Sequence, residues 1–106
     1  VREAKIFATL IELSPLIADG QSRIVRMILF GSCALGEDSE ESDIDLYIET
    51  TDRQAAKALI SRYETSISRK ISPIIVSPGE AVQIRIRDRP LFERIQSGKN
   101  LVGEQL

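Results

Sequence analysis

The sequence predicts a small α/β domain, with a short mixed β-sheet and helices packed against it. Three observations predict it. Apolar residues recur at helical spacing near the N-terminus, a β-branched apolar run follows at Ile24–Phe30, and helix and strand signals then interleave to the end of the chain. The 106 residues are enough for one core and one domain, spanning 1–106.

Residues 3 to 18 read as a helix, with Ile6, Leu10, Leu13 and Ile17 on one stripe that Phe7 and Ile11 widen. Pro15 predicts a kink or an early end near Ser14, and Asp19-Gly20 a turn or C-cap. Ile24–Phe30 reads as a strand buried on both faces that stops at Gly31-Ser32. Ser42–Glu49 alternates: Ile44, Leu46 and Ile48 share one face, and Asp43, Asp45, Tyr47 and Glu49 the other. Thr51 or Asp52 caps a helix to about Ser66, burying Ala55, Ala56, Leu59, Ile60 and Tyr63. Ile71–Val76 is a third strand, and Pro73 predicts an edge position or a ladder gap. Ser77-Pro78-Gly79-Glu80 is a capping box with Pro at the first helical position. The VQIRIR that follows alternates like a strand, and the cap, as the more specific device, decides for helix. Pro90 opens a last helix that Ser97-Gly98 ends.

Composition narrows the chemistry. There is no histidine, which excludes His-based triads, general bases and metal sites, so any catalysis rests on carboxylates, hydroxyls, backbone amides or a hard metal ion. The lone cysteine, Cys33, excludes an intrachain disulfide and fits a reducing, cytoplasmic compartment. No apolar run reaches the ~20 residues of a membrane span. A net charge of -2 argues against broad coating of nucleic acid. Eight acids and no bases fall between Glu37 and Asp52, whereas ten bases and four acids fall between Arg53 and Lys99. Glu37–Glu41 reads as a solvated loop.

The informative constellation is Gly31-Ser32, ten intervening residues, then Asp43-Ile44-Asp45. Gly-Ser alone is a common turn, and Asp-x-Asp alone is often a solvent-facing pair. Together, in strand–turn–strand context, they specify more. Gly31 lets a ligand approach the main chain, and Ser32 can cap a short helix whose free amides suit a phosphate. Period two puts both carboxylates on one face, where their repulsion is resolved by an oxygen-ligated divalent cation, Mg²⁺ or Mn²⁺. A phosphate cradle beside a carboxylate-held metal is the kit for nucleotidyl transfer.

Leu29-Phe30-Gly31-Ser32, Ala34, Gly36 and Ser42-Asp43-Ile44-Asp45-Leu46 resemble the signature of the DNA-polymerase-β-type nucleotidyltransferase superfamily, in particular its minimal nucleotidyltransferases. The resemblance implies the polymerase-β palm-like fold. Gly31 and Ser32 would bind a nucleoside triphosphate, ATP for preference. Asp43 and Asp45 would hold the metal while an acceptor hydroxyl on a protein or small molecule attacks the α-phosphate. It also implies a paired system, with a HEPN-domain partner and homo- or hetero-oligomers. A third strand acid, usual in active members, is absent: Ser72 takes its place, Glu49 lies further along the strand face, and Glu80 serves a cap. The alternative is therefore a catalytically weakened antitoxin or regulatory subunit that acts by binding its partner. Cys33 reads as a packing residue and Tyr47 as a base-stacking or cleft-lining ring. Arg85, Arg87, Arg89, Arg94 and Lys99 could reach phosphates or an acidic partner, and a solvated helical face is their default reading.

Overall fold

The computed structural model describes residues 1–106. Its elements run α1 (Arg2–Gly20), β1 (Arg26–Phe30), α2 (Ser32–Leu35), β2 (Ile44–Glu49), α3 (Arg53–Glu64), β3 (Ile71–Val76), α4 (Pro78–Arg87), α5 (Arg89–Gln96) and β4 (Lys99–Val102). The sheet order is β3-β2-β1-β4, with β1 antiparallel to both β2 and β4, and β2 parallel to β3. The mixed sheet with helices on its faces is the architecture expected.

Strand alternation sorts the core into two unequal layers. Met27, Leu29, Ile44, Leu46 and Ile48 face α1 and α3, where Leu13, Leu16, Ala56, Leu59 and Ile60 complete the larger cluster. Ile28, Phe30, Tyr47 and Val76 face the other way, onto Ile95 of α5 and the half-buried Ala81 and Ile84 of α4. β1 is buried on both faces, as expected of an apolar central strand. β3 is an edge strand, so Pro73 costs no ladder hydrogen bond on its open side. The conflict at Ser77 resolves as helix: Ser77 Oγ accepts from the Glu80 amide at 3.1 Å, and the Ser77 amide donates to Glu80 Oε1 at 3.0 Å. These bonds and the nearby Arg53 guanidinium hold the Glu80 carboxyl below its ordinary range.

Four expectations are corrected. Helix α1 runs through Pro15 to Gly20. Pro15 has no N–H for the Ile11 carbonyl, and the Ser14 hydroxyl donates to that carbonyl instead, at 2.8 Å. Gly20 is no turn: it is helical and buried, and an added Cβ would meet Met27 at 3.3 Å. The acidic loop is not wholly solvated, since Asp38 is only 7% exposed and pairs with Arg69. Arg69 also donates to Thr9 Oγ1 at 2.8 Å, and Lys5 donates to the Asp38 carbonyl at 2.9 Å, so α1 is fastened to the loop that leads into β2. The chain also adds β4, where Gly98 leaves room for the Leu29 carbonyl of β1.

A buried ion pair that loses one partner leaves the other charge uncompensated. Arg69→Ala should therefore destabilise the fold by roughly 3 kcal/mol. Thermal melts should show the midpoint falling by about 10 °C or more.

Candidate functional site

The end of β1 and the start of β2 meet at one point. Phe30 and Asp45 are register partners, so Gly31 follows directly beside the Asp45 side chain. Gly31 has φ +74°, in the left-handed region, and turns the chain off the strand into α2. A Cβ at this position would lie 2.5 Å from Asp45 Oδ2. The bare backbone and the carboxylate occupy space that any side chain would take. Gly31, not Ser32, is the N-cap; Ser32 is the first helical residue, and no side chain caps the helix. The expected capping role of Ser32 is thus corrected.

Strand β2 starts at Ile44 and not at Ser42 as expected, so Asp43 is exposed just before the strand and Asp45 is half-buried within it. Neither carboxylate takes part in a salt bridge. Burial raises the pKa of Asp45, the nearby Arg94 charge lowers it, and the neighbouring Asp43 raises it again. The structure therefore brings Gly31, Ser32, Asp43 and Asp45 to one sheet end. Cys33 ties the motif's two halves together, its thiol donating to the Asp43 carbonyl at 3.5 Å. Cys33 is 1% exposed and burial pushes its thiol pKa up, which fits a packing residue.

Other residues fall outside this point. Ser72 is the register partner of Asp45 on β3 and brings no charge beside it. No group of three acids, cysteines or histidines is placed to hold a metal ion. Tyr47 is 2% exposed, too buried for the base-stacking or cleft-lining role expected of it. Its hydroxyl donates to Glu49 Oε1 at 3.3 Å, and Glu49 is neutralised by Arg26 at 2.6 Å. Glu80 stays in its capping box. Arg85 and Arg89 both lie over the Phe92 ring, away from the motif. Arg94 is exposed, as expected of a solvated helical face, and its guanidinium lies over the Phe30 ring and near Asp45. The spacing from Pro90 places Arg94 on a helix, but nothing local places it against Phe30. A wider hollow of about 690 Å³ between α1 and the loops at 38–40 and 68–69 does not reach the carboxylates.

Two outcomes follow from this geometry. Gly31→Ala should cost about 1–2 kcal/mol from the backbone conformation alone, with displacement of Asp45 adding to it. Its melting midpoint should fall further than that of Leu35→Ala, an exposed site in the same turn. Asp45 acts on stability in the opposite sense. Its pKa is raised by folding, so its ionised form subtracts from stability at neutral pH, and the penalty is relieved as pH falls through the raised pKa. In metal-free buffer, Asp45→Asn should melt higher than the parent at pH 7, and the gain should shrink toward pH 4.

The comparisons with known proteins agree with this architecture. The sequence profile described as "Polymerase beta, Nucleotidyltransferase" matches residues 15–105. No curated protein sequence matches. Among solved structures, a candidate nucleotidyltransferase from Sulfolobus solfataricus is similar with a TM-score of 0.52 and 19% identity, over 77% of this chain and 78% of that one. A mutant form of the toxin–antitoxin complex MntA–HpeT is similar with a TM-score of 0.56 and 21% identity, over 88% of this chain and 72% of that one. The structural likenesses speak for the fold, and the profile match over most of the sequence speaks for descent: this chain belongs to the polymerase β nucleotidyltransferase family.

Proposed function

We propose that the chain is a divalent-cation-dependent nucleotidyltransferase that moves a nucleoside monophosphate from a nucleoside triphosphate, ATP for preference, to a hydroxyl on a protein or small molecule. The observation that carries this reading is the Gly31 backbone lying against the Asp45 carboxylate, with Asp43 two residues before it at the entry to β2. Gly31 and Ser32 would receive the phosphate chain, the glycine because no side chain blocks approach to the main chain. Asp43 and Asp45 would hold Mg²⁺ or Mn²⁺: their donors are oxygens only, neither is spent on a salt bridge, and the burial of Asp45 disfavours an unpaired charge. The ion when bound supplies charge neutralisation at the phosphate oxygens and orients them for in-line displacement. The chain's own part is to keep Asp45 on β2, Asp43 at the entry to that strand and the glycine turn beside them.

A second reading has its own observation. Ser72 stands in register beside Asp45 where active relatives carry an acid, and a hydroxyl is a poor substitute for a charged ligand. This favours a weakened enzyme that acts as an antitoxin or regulatory subunit by contact with a partner, such as a HEPN-domain protein. The similarity to a chain of a toxin–antitoxin complex is compatible with it.

Thermal shift with MgATP separates the outcomes. A ligand at ~100 times its dissociation constant adds about 2.7 kcal/mol, which moves the midpoint of a small domain by several degrees or more. The parent should show a shift that needs both ATP and Mg²⁺, and Asp43→Asn/Asp45→Asn should lose it, each protein being compared with its own ligand-free midpoint. No shift with any of the four nucleoside triphosphates would sink the enzyme reading for the isolated chain. If binding is present, Ser72→Asp tests the second reading: restoring the acid should raise transfer to an acceptor at least tenfold if its loss is what limits turnover.

A further inference from the structure

We propose that Arg94 is the polyphosphate-binding residue of this cleft, gripping the phosphates that lie farthest from Asp43 and Asp45 and balancing the Asp45 charge until they arrive. The assignment rests on the nucleotidyltransferase reading and adds to it a residue outside the Gly-Ser and Asp-x-Asp motif. Its guanidinium carbon lies 5.4 Å from the centroid of the Phe30 ring. Phe30 precedes Gly31 and is the register partner of Asp45, so the ring seats Arg94 directly over the site. Arg94 is exposed, and the next residue, Ile95, is 1% exposed and anchors α5 on β1. Beside it is a cleft of about 90 Å³ lined by Gly31, Ala34, Leu35, Arg94, Ser97 and Gly98. Arg94 is the only charged residue in that lining.

The donors of Arg94 are uncommitted. None of the chain's ion pairs includes it. Stacking on a ring uses the guanidinium face and leaves its N–H edge free for bidentate bonds to phosphate. Arg85 and Arg89 share the same sequence region but sit over Phe92, on a hollow that also takes in Arg26 and Glu49, so they do not duplicate this position. A guanidinium near two carboxylates opposes a dication and attracts a polyanion. Arg94 should therefore affect the two ligands in opposite directions, which a purely structural role would not do.

The test uses the full chain with Arg94→Gln and Arg94→Lys, measuring dissociation constants for ATP, ADP and AMP with Mg²⁺ and for Mn²⁺ alone. Arg94→Gln should weaken MgATP roughly tenfold or more. The loss should shrink from ATP to ADP to AMP, Mn²⁺ alone should bind equally or more tightly, and Arg94→Lys should recover part of the loss. Equal MgATP binding by parent and Arg94→Gln would overturn the assignment while leaving the nucleotidyltransferase reading intact. So would a loss as large for AMP as for ATP, or a weakened Mn²⁺ affinity. A parent that binds no nucleotide would overturn both.

Discussion

The site depends on one contact, the approach of the Gly31 main chain to the Asp45 carboxylate. Its origin is the antiparallel register of β1 and β2, which sets Phe30 opposite Asp45 and leaves the next residue no room for a side chain. From that constraint the rest of the local geometry follows. The positive φ of Gly31 redirects the strand into α2, α2 buries Cys33, and Cys33 reaches back to the Asp43 carbonyl. The two halves of the motif, separated by ten residues of sequence, are thus closed into one unit by a backbone conformation, a register and a thiol hydrogen bond.

The sheet distributes stability and function between its faces. The α1 and α3 side carries the larger cluster and the Asp38–Arg69 pair that fixes the loop entering β2. The α4 and α5 side buries far less, and α4 buries no residue completely. Asp43 and Asp45 lie on this thinner side, at the end of the sheet beyond Tyr47. The arrangement has a physical logic: a half-buried Asp45 repelled by its exposed neighbour lowers stability, and a substantial core behind the strand offsets that penalty. Tyr47 and Glu49 share the strand face with the aspartates but are consumed by Arg26 and the small core, so the usable polar surface ends after Asp45.

Much of this was legible in the sequence because the deciding signals were local. The alternation of Ser42–Glu49 separates Ile44, Leu46 and Ile48 from the aspartates, Pro73 marks an edge strand, and the Ser77–Glu80 box overrides five alternating residues because it satisfies helix-terminal amides that a strand would leave elsewhere. What escaped is non-local. Asp38 and Arg69 lie 31 residues apart, and nothing near either one announces the pair. Strand β4 has four residues and owes its existence to Gly98 packing on β1, a tertiary contact. Pro15 looked like a helix end because its missing amide has a cost, and the Ser14 hydroxyl that meets the cost becomes visible only once the turn is built.

The charge balance at the sheet end bears on the difference between binding and turnover. On the proposed reading Asp43 and Asp45 face an incoming cation; Ser72 contributes no charge beside Asp45, and Arg94 stands close enough to oppose the effect of burial on Asp45. Two carboxylates and one guanidinium leave a net of one negative charge, where three carboxylates with the same guanidinium would leave two. A dication alone would be held weakly by such a site. A dication arriving with a polyphosphate would be held better, because the anion engages Arg94 and withdraws that positive charge from Asp45. On the proposed reading, metal and nucleotide bind cooperatively, each supplying the counter-charge the other needs. On the same reading the acceptor hydroxyl gains nothing from this arrangement, since Ser72, the register partner of Asp45, brings no carboxylate to take its proton. Nucleotide capture and nucleotidyl transfer therefore make separable demands on the same strand ends.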